Sequence, residues 1–122
     1  MKDCLFCKIS NNIVPSYTIY EDNTVKVILD ISPSSNGHCL IITKTHYNNI
    51  TDIPYETLAY INTIIKKMYT LLEKKLNFDG MQILQNNGIS QEIHHYHVHL
   101  IPRYKKETLI DTTENTYKKI MN

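Results

Sequence analysis

The sequence has no long apolar run and no marked excess of charge of either sign. No hydrophobic stretch reaches the roughly 20 residues of a membrane-spanning helix, and the N-terminal MKDCLFCKIS lacks the apolar segment of a signal peptide. We therefore expect a cytoplasmic protein without a membrane partner. The formal net charge of +1 also argues against a nucleic-acid-binding surface, because such surfaces are strongly basic.

Cysteine is scarce as well, with three residues in 122. In a cytoplasmic protein thiols stay reduced, so these cysteines are not expected to form a disulfide framework. Cys39 stands alone in an apolar segment and is predicted to be a small buried hydrophobic residue. Cys4 and Cys7 form a C-x-x-C pair, but no strand precedes them as a thioredoxin-like redox motif requires. Half of a zinc site is the better interpretation.

Repeats, linkers and low-complexity segments are also absent, so we expect a single domain. A short helical turn is predicted in CLFCKISNN, followed by strands at 17–20 and 24–29 that a tight turn joins. HCLIITK, MQILQN and 94–104 are predicted to form three more strands.

One clear helix is predicted within 51–80, where Asp52 can cap the start and Gly80 closes the segment. Its apolar residues recur at helical spacing and are expected in the core. They are Leu58, Ile61, Ile65, Met68, Leu72 and Leu76. Five short strands and one long helix predict an α+β fold with an antiparallel sheet. One helix cannot cover both faces of that sheet, which favours a dimer.

What the chain does have is histidine concentrated in one run. HHYHVHLIPRY, residues 94–104, holds four of the six histidines. Its tyrosine, valine, leucine and isoleucine favour a β-strand, in which alternate side chains share a face. We therefore expect His95, His97 and His99 to project from one side of the sheet, a pattern that chance explains poorly.

Two kinds of chemistry fit three imidazoles on one face. The first is a zinc site, for which the chain offers further ligands in Cys4, Cys7, His38 and His46. The second is nucleophilic: a neutral imidazole can attack phosphorus and form a phosphoramidate, while neighbouring histidines steady the phosphate or move protons. The residues by themselves leave both open.

The run HYHVHLI resembles the histidine triad signature, in which histidines alternate with hydrophobic residues. CLFCKI, YED, LDISPSSNGHCLIITKTHY, NNG, QE and HLIPRY also occur in the order expected of the histidine triad (HIT) family. The resemblance covers about residues 4–104, and the C-x-x-C start is similar to the Hint-like branch with a zinc site. It implies a HIT domain over 1–104. Residues 105–122 are then a C-terminal tail whose contribution to the dimer or the active site stays open.

The same resemblance implies a fold and an activity. The fold is a five-stranded antiparallel sheet with one long helix and a short N-terminal helix, pairing as a homodimer. The activity is hydrolysis or transfer of nucleoside monophosphate derivatives through a covalent nucleotidyl-histidine intermediate. Purine phosphoramidates such as AMP-amines are the expected substrates. The expected partner is thus a nucleotide of the AMP or GMP type.

Residue roles are implied in the same way. His97 matches the nucleophile, and His99 and His38 match the histidines that assist it. The positions that match substrate contacts are Leu5, Phe6, Ile9, Ile28, Asp30, Ile31, Asn86, Gln91, Glu92 and His99, and Asn87 competes with Asn86. The ligands of a structural zinc ion match Cys4, Cys7, His46 and His95.

Three other functions stay open at this point. A dinucleoside polyphosphate hydrolase of the Fhit-like branch would use the same chemistry. A zinc-dependent hydrolase would use the triad histidines as catalytic ligands, so chelation would stop turnover before it disturbed the fold. A non-catalytic nucleotide-binding or interaction module would use the fold to serve partners.

Overall fold

The computed structural model describes residues 3–106 and 108–122. Within these ranges the chain forms three α-helices and five β-strands. In order they are α1 (Leu5–Ser10), β1 (Thr18–Glu21), β2 (Val25–Leu29), β3 (Cys39–Thr43), α2 (Tyr55–Leu76), β4 (Gly80–Leu84), β5 (His97–Arg103) and α3 (Thr113–Met121). A 3₁₀ turn, Gly88–Ser90, lies between β4 and β5.

The five strands form one antiparallel sheet in the order β1-β2-β3-β5-β4. β5 therefore lies between β3 and β4. Its register sets His97 opposite Ile42 and His99 opposite Leu40, so both histidines lie inside the sheet rather than at an edge. The predicted α+β fold, with a five-stranded antiparallel sheet, one long helix and a short N-terminal helix, is confirmed.

The two faces of the sheet bury different residues because side chains alternate along each strand. Val25 and Val27 of β2 pack with α2 in the larger core. Ile28 faces the other way and packs with Phe6 and Ile9 of α1. The short N-terminal helix thus covers the face that carries the triad histidines. Cys39 lies fully buried in the larger core, as predicted, and burial raises the pKa of its thiol to about 12.

The start of α2 differs from the prediction. The helix begins after Pro54, which suits this position because a proline has no N–H to leave unpaired there. Asp52 does not cap the helix. Its carboxylate accepts a hydrogen bond from the backbone N–H of Asn48 instead (2.9 Å), so it closes the preceding turn.

The end of α2 also lies earlier than the predicted Gly80, which instead opens β4. Asn77 stops the helix in a left-handed conformation with φ of 53°. Of the six apolar positions predicted for the core, Ile61, Met68, Leu72 and Leu76 are buried, Leu58 and Ile65 are partly buried, and Ile64 is buried in addition. Although α2 has 22 residues, neither it nor any other helix in the described part of the chain is long and apolar enough to span a membrane.

The sequence did not predict α3. Its first turn is capped by Thr112, whose hydroxyl accepts the backbone N–H of Asn115 (3.1 Å). Ile120 is 1% exposed and belongs to the larger core. Tyr117 contacts Tyr17, with ring centroids 5.3 Å apart. Part of the polar C-terminal segment is therefore packed on the sheet and α2.

The predicted fifth strand is longer than the observed one. β5 begins at His97, while His94 and His95 lie in bends before it. The backbone N–H of Tyr96 donates to the carbonyl of Tyr47, in the loop after β3 (2.7 Å). Tyr96 therefore does not pair with β3, and the strand starts one residue later. His95 still faces the α1 side.

Candidate functional site

Three histidines from two neighbouring strands meet on the α1 side of the sheet. His97 and His99 alternate along β5, and their ring centroids are 5.0 Å apart. His38 directly precedes β3, and its Nε2 lies 3.0 Å from Nδ1 of His99. The pairing of β3 with β5 thus brings together residues that are 61 positions apart in the chain.

The protonation of His97 is set by one backbone group. Its Nδ1 lies 2.7 Å from the carbonyl oxygen of His95. A carbonyl can only accept, so Nδ1 carries the proton and Nε2 keeps a free lone pair. Burial lowers the pKa of His97, which keeps the ring neutral near pH 7. A buried, neutral imidazole with a free Nε2 is a competent nucleophile.

His38 and His99 form a directed hydrogen-bond chain beside it. The backbone N–H of Ser34 donates to Nδ1 of His38 (3.0 Å). The His38 proton therefore lies on Nε2, which donates to Nδ1 of His99. This leaves the Nε2 proton of His99 free for a ligand. Burial lowers the pKa of both rings, that of His99 to about 4, so His99 presents a neutral N–H donor.

Asp30 adds a carboxylate to this group at the end of β2. One of its oxygens lies 3.5 Å from Nε2 of His38. The other accepts the backbone N–H of Ser32 (2.8 Å). The Asp30 side chain is 21% exposed, so a ligand in the cleft can reach it.

A second cluster lies where α1 meets the sheet. The side-chain ligand atoms of Cys4, Cys7, His46 and His95 all lie within 4.8 Å of one another. Sγ of Cys4 is 3.3 Å from Nδ1 of His95, and Sγ of Cys7 is 3.2 Å from Nδ1 of His46. Ordinary zinc–sulfur and zinc–nitrogen bond lengths place S and N roughly 3.5 Å apart in a tetrahedral site. This four-residue cluster is therefore compatible with zinc.

The outer contacts of the two cluster histidines suit metal binding. Nε2 of His95 donates to the carbonyl of Thr43 (2.6 Å), and Nε2 of His46 donates to Oδ1 of Asn48 (2.9 Å). Both rings therefore carry their proton on Nε2 and turn the Nδ1 lone pair toward the thiols. Zinc-binding histidines use the same arrangement to fix the tautomer and the ring orientation.

Asp30, His38 and His99 also lie close enough together to hold a metal ion, with ligand atoms within 4.8 Å. The protonation pattern argues against it. The backbone N–H of Ser34 already occupies Nδ1 of His38, so the proton must lie on the very nitrogen that faces the other two residues. The donor set favours a metal in the four-residue cluster and proton chemistry here.

Apolar residues form a wall next to the histidines. Phe6 meets His97 edge to face, with ring centroids 4.9 Å apart, and packs with Ile9 and Ile28. Ile31 is 80% exposed at the start of the loop before His38. Phe6, Ile9 and Ile28 are 4–6% exposed, so they pack beneath the surface beside His97, while Ile31 is accessible to a flat apolar group.

The other residues predicted to contact substrate differ in where their side chains lie. Leu5 and Glu92 line an open cleft of about 600 Å³ at the cluster end of α1. Gln91 is buried, and its amide binds backbone groups of Asn48 and Gly88 (2.7 and 2.9 Å). Gln91 therefore braces the loop instead of turning to the histidines.

The two candidate asparagines also differ. The side-chain oxygen of Asn87 accepts the backbone N–H of Ile50 (2.8 Å), which ties it to the loop before α2. Asn86 is partly exposed. Asn86 lies two residues after Leu84, which pairs with His99 in the sheet. Because β4 and β5 are antiparallel, the chain after Leu84 runs from His99 toward His97.

Three residues outside the predicted set contribute groups to the site. They are the N–H of Ser34, the carbonyl of Thr43 and the side chain of Asn48. The first two are backbone groups, for which no side-chain pattern gives a signal. The His-x-Asn spacing from His46 to Asn48 could have suggested the third.

Comparison with known proteins agrees with this geometry. The model of the HIT domain family matches residues 11–106. This chain belongs to the HIT family. A HIT-like protein of Methanocaldococcus jannaschii is 43% identical over 104 residues, which cover 84% of this chain and 80% of that protein.

Two further HIT proteins bear on function. The adenosine 5′-monophosphoramidase of Saccharomyces cerevisiae is 41% identical over 102 residues, covering 82% of this chain and 62% of that protein. The crystal structure of a zinc-bound histidine triad family protein from Mycobacterium smegmatis superposes with a TM-score of 0.90 at 33% identity, covering 98% of this chain and 91% of that one.

Proposed function

We propose that this HIT protein hydrolyses or transfers nucleoside monophosphate derivatives, with purine phosphoramidates of the AMP-amine type as its substrates. The observation that carries the proposal is the protonation of His97, whose Nδ1 donates to the carbonyl of His95 at 2.7 Å. Its Nε2 is thereby a free nucleophile. The name of the yeast relative, an adenosine 5′-monophosphoramidase, supports the choice of substrate.

In the first step, the Nε2 lone pair of His97 attacks the α-phosphorus. The P–N bond to the leaving group breaks, the leaving nitrogen takes up a proton from solvent and departs as a neutral amine, and a nucleotidyl-histidine with a cationic ring forms. In the second step, water attacks the same phosphorus, the His97–phosphorus bond breaks, and the attacking water releases a proton to solvent. AMP is released and His97 returns to its starting form.

The proposed stabilisation of the phosphoryl group comes from neutral donors. The free Nε2 proton of His99 and the amide of Asn86 would donate to phosphoryl oxygens as charge develops. His38 would act through His99, because its Nε2–H donates a hydrogen bond to Nδ1 of His99. Gln91 would keep the loop beside Asn86 in place.

The nucleoside is proposed to lie between a carboxylate and the apolar wall. Asp30 would accept hydrogen bonds from the ribose hydroxyls. The proposed base contacts are Leu5, Phe6, Ile9, Ile28 and Ile31. Glu92, which lines the cleft with Leu5, would lie on the leaving-group side.

We propose a structural zinc ion held by Cys4, Cys7, His46 and His95. Four protein ligands fill a tetrahedral site and leave no open position, whereas a catalytic zinc keeps one. The ion would supply a crosslink between α1 and the sheet. The reacting groups are then histidines alone, which distinguishes this proposal from a zinc-dependent hydrolase.

The test is turnover of adenosine 5′-phosphoramidate by the His97→Ala variant. We expect kcat to fall by roughly 10³-fold or more, because removal of a nucleophile abolishes the covalent route. The matched control is His94→Ala, since His94 is an exposed histidine in the same segment and should be replaceable. Equal turnover by His97→Ala and the wild type would refute the proposal.

Two other activities are separated by further readouts. A dinucleoside polyphosphate hydrolase would cleave diadenosine polyphosphates faster than the phosphoramidate, so the ratio of the two kcat/KM values decides between them. A non-catalytic module would bind AMP without turnover of either substrate.

We further propose a homodimer that forms through β4. This edge strand exposes Ile83 (47%) and Leu84 (36%), and an apolar strand edge can pair with a second copy. Light scattering should give a dimer mass for the wild type and a monomer mass for Ile83→Lys. Met121→Lys, at another exposed apolar position (48%), should stay dimeric. A monomeric wild type would contradict this proposal.

A further inference from the structure

Lys26 is a lysine buried within the sheet. It lies in the second position of β2, opposite Ile42 of β3, and is 3% exposed. Its side chain points to the same face as Ile28, the face that α1 covers. A buried ammonium is costly unless its donors are satisfied. An apolar residue would fill this position at less cost, so the bonds that Lys26 makes need an explanation.

All the hydrogen bonds of this ammonium in the described part of the chain go to the end of α1. Nζ donates to the backbone carbonyl of Ile9 (2.9 Å) and to the side-chain oxygen of Asn12 (2.8 Å). Asn12 has φ of 61°, a left-handed conformation that asparagine adopts more readily than most residues. The carbonyl end of a helix is its negative end, so a cation is favoured there.

α1 depends on such contacts because it is short. A helix of six residues is not stable alone in water. It nevertheless carries the Cys7 thiol and the Phe6 ring that meets His97, and its N-cap residue is Cys4. The placement of α1 on the sheet therefore sets the geometry of both the four-residue cluster and the apolar wall.

We propose that Lys26 is a positioning residue: its ammonium fixes the end of α1 on β2 and so sets where Phe6 and Ile9 lie beside His97. Its effect on turnover rests on the function proposed above. Its effect on α1 does not, because the hydrogen bonds to Ile9 and Asn12 exist without substrate.

The direct test is amide hydrogen exchange in the full-length Lys26→Met variant, which removes the charge and keeps the hydrocarbon stem. The amides to follow are that of Lys8 in α1 and those of Asn11, Asn12 and Ile13 directly after it, which donate to backbone carbonyls of residues 4–9 at 2.8–3.1 Å. We expect their exchange to accelerate about tenfold or more, with α2 amides unchanged, as in a local opening.

Two matched variants make the result specific. Lys26→Arg keeps the cation and should restore exchange close to the wild-type rate. Lys44→Met removes a lysine that directly follows β3 and pairs with Glu21 of β1 (2.7 Å). It should leave the exchange of the α1 amides unchanged. Unchanged α1 exchange in Lys26→Met would overturn the proposal. Equal acceleration in α1 and α2 would also overturn it, because Lys26 would then act on global stability.

Steady-state kinetics with adenosine 5′-phosphoramidate give the second readout. A displaced Phe6 and Ile9 should weaken base binding, so Lys26→Met should raise KM by about tenfold while kcat changes much less. A fall in kcat with unchanged KM would contradict the proposal that Lys26 affects substrate binding by positioning the apolar wall. If the wild type does not turn over this substrate, the proposed function fails while the exchange result still decides the role of Lys26.

Discussion

At the scale of single residues, one acceptor or donor decides what each imidazole can do. The carbonyl of His95 leaves Nε2 of His97 free, and the carbonyl of Thr43 leaves Nδ1 of His95 free. Two histidines that are two positions apart thus offer opposite nitrogens to different neighbours. The alternation of histidines could be predicted from the sequence. The nitrogen that each ring presents could not, because the backbone carbonyls of His95 and Thr43 set it and no side-chain pattern indicates them.

The Asn48→Ala substitution tests whether one acceptor controls a histidine of the four-residue cluster. Oδ1 of Asn48 is the acceptor that fixes the tautomer of His46, and loss of such an outer contact typically weakens metal binding 10–100-fold. We expect a drop of about that size in zinc affinity, measured by competition with a chelator. Asn62→Ala, at an exposed position of α2, should bind zinc as the wild type does. Equal affinities for all three proteins would contradict the role of Asn48.

At the scale of elements, the turn between β1 and β2 is tied to α2 by one carboxylate. Asp22 accepts the backbone N–H groups of Thr24 and Val25 (2.7 and 2.9 Å) and the hydroxyls of Tyr20 (2.8 Å) and Tyr60. Burial alone would raise the pKa of Asp22, but these hydrogen bonds outweigh it and lower the pKa to about 2.

This shift predicts a pH dependence of stability. Because the folded pKa of Asp22 lies below the unfolded value of 3.8, its contribution is complete above about pH 4 and is lost as the pH falls toward 2. Asp22→Asn should lower the free energy of unfolding by about 1–2 kcal/mol at pH 6. The difference from the wild type should shrink below pH 3 in urea titrations. A difference that stayed constant from pH 6 to pH 2.5 would contradict the assignment.

The elements themselves differ in how far the sequence could predict them. The strands and α2 follow from local periodicity, since a buried face repeats every two or every 3.6 residues. α3 has few apolar residues, and only contacts such as those of Ile120 with the core make it part of the fold. The expected Asp52 cap was wrong for a similar reason, because a nearby loop N–H competes for the same carboxylate.

At the scale of the whole molecule, α1 contacts both the four-residue cluster and His97 on one side of the sheet. It carries the Cys7 thiol of the four-residue cluster and the Phe6 ring that packs on His97, and Cys4 is its N-cap residue. Metal binding and substrate binding are therefore expected to depend on the same docking of a six-residue helix. Loss of the four-residue cluster should therefore displace the apolar wall on α1 before it changes the positions of His97 and His99 in β5.

Removal of the metal tests that connection. We expect a zinc-loaded sample to lose about 10 °C or more in Tm when the ion is chelated, because binding energy at a structural site contributes to folding. Turnover of adenosine 5′-phosphoramidate should decline together with the folded fraction measured by circular dichroism. Immediate loss of turnover in a fully folded, chelated sample would instead indicate a catalytic zinc.

Intact-protein mass spectrometry can detect the covalent intermediate proposed on His97. The His99→Ala variant should be mixed with adenosine 5′-phosphoramidate and quenched, since loss of this donor should slow release of the intermediate more than its formation. We expect one added adenylyl group that maps to His97 and is absent from a His97→Ala/His99→Ala protein. Continued turnover with no adduct on His97 in either the wild type or the His99→Ala variant would contradict covalent catalysis by His97.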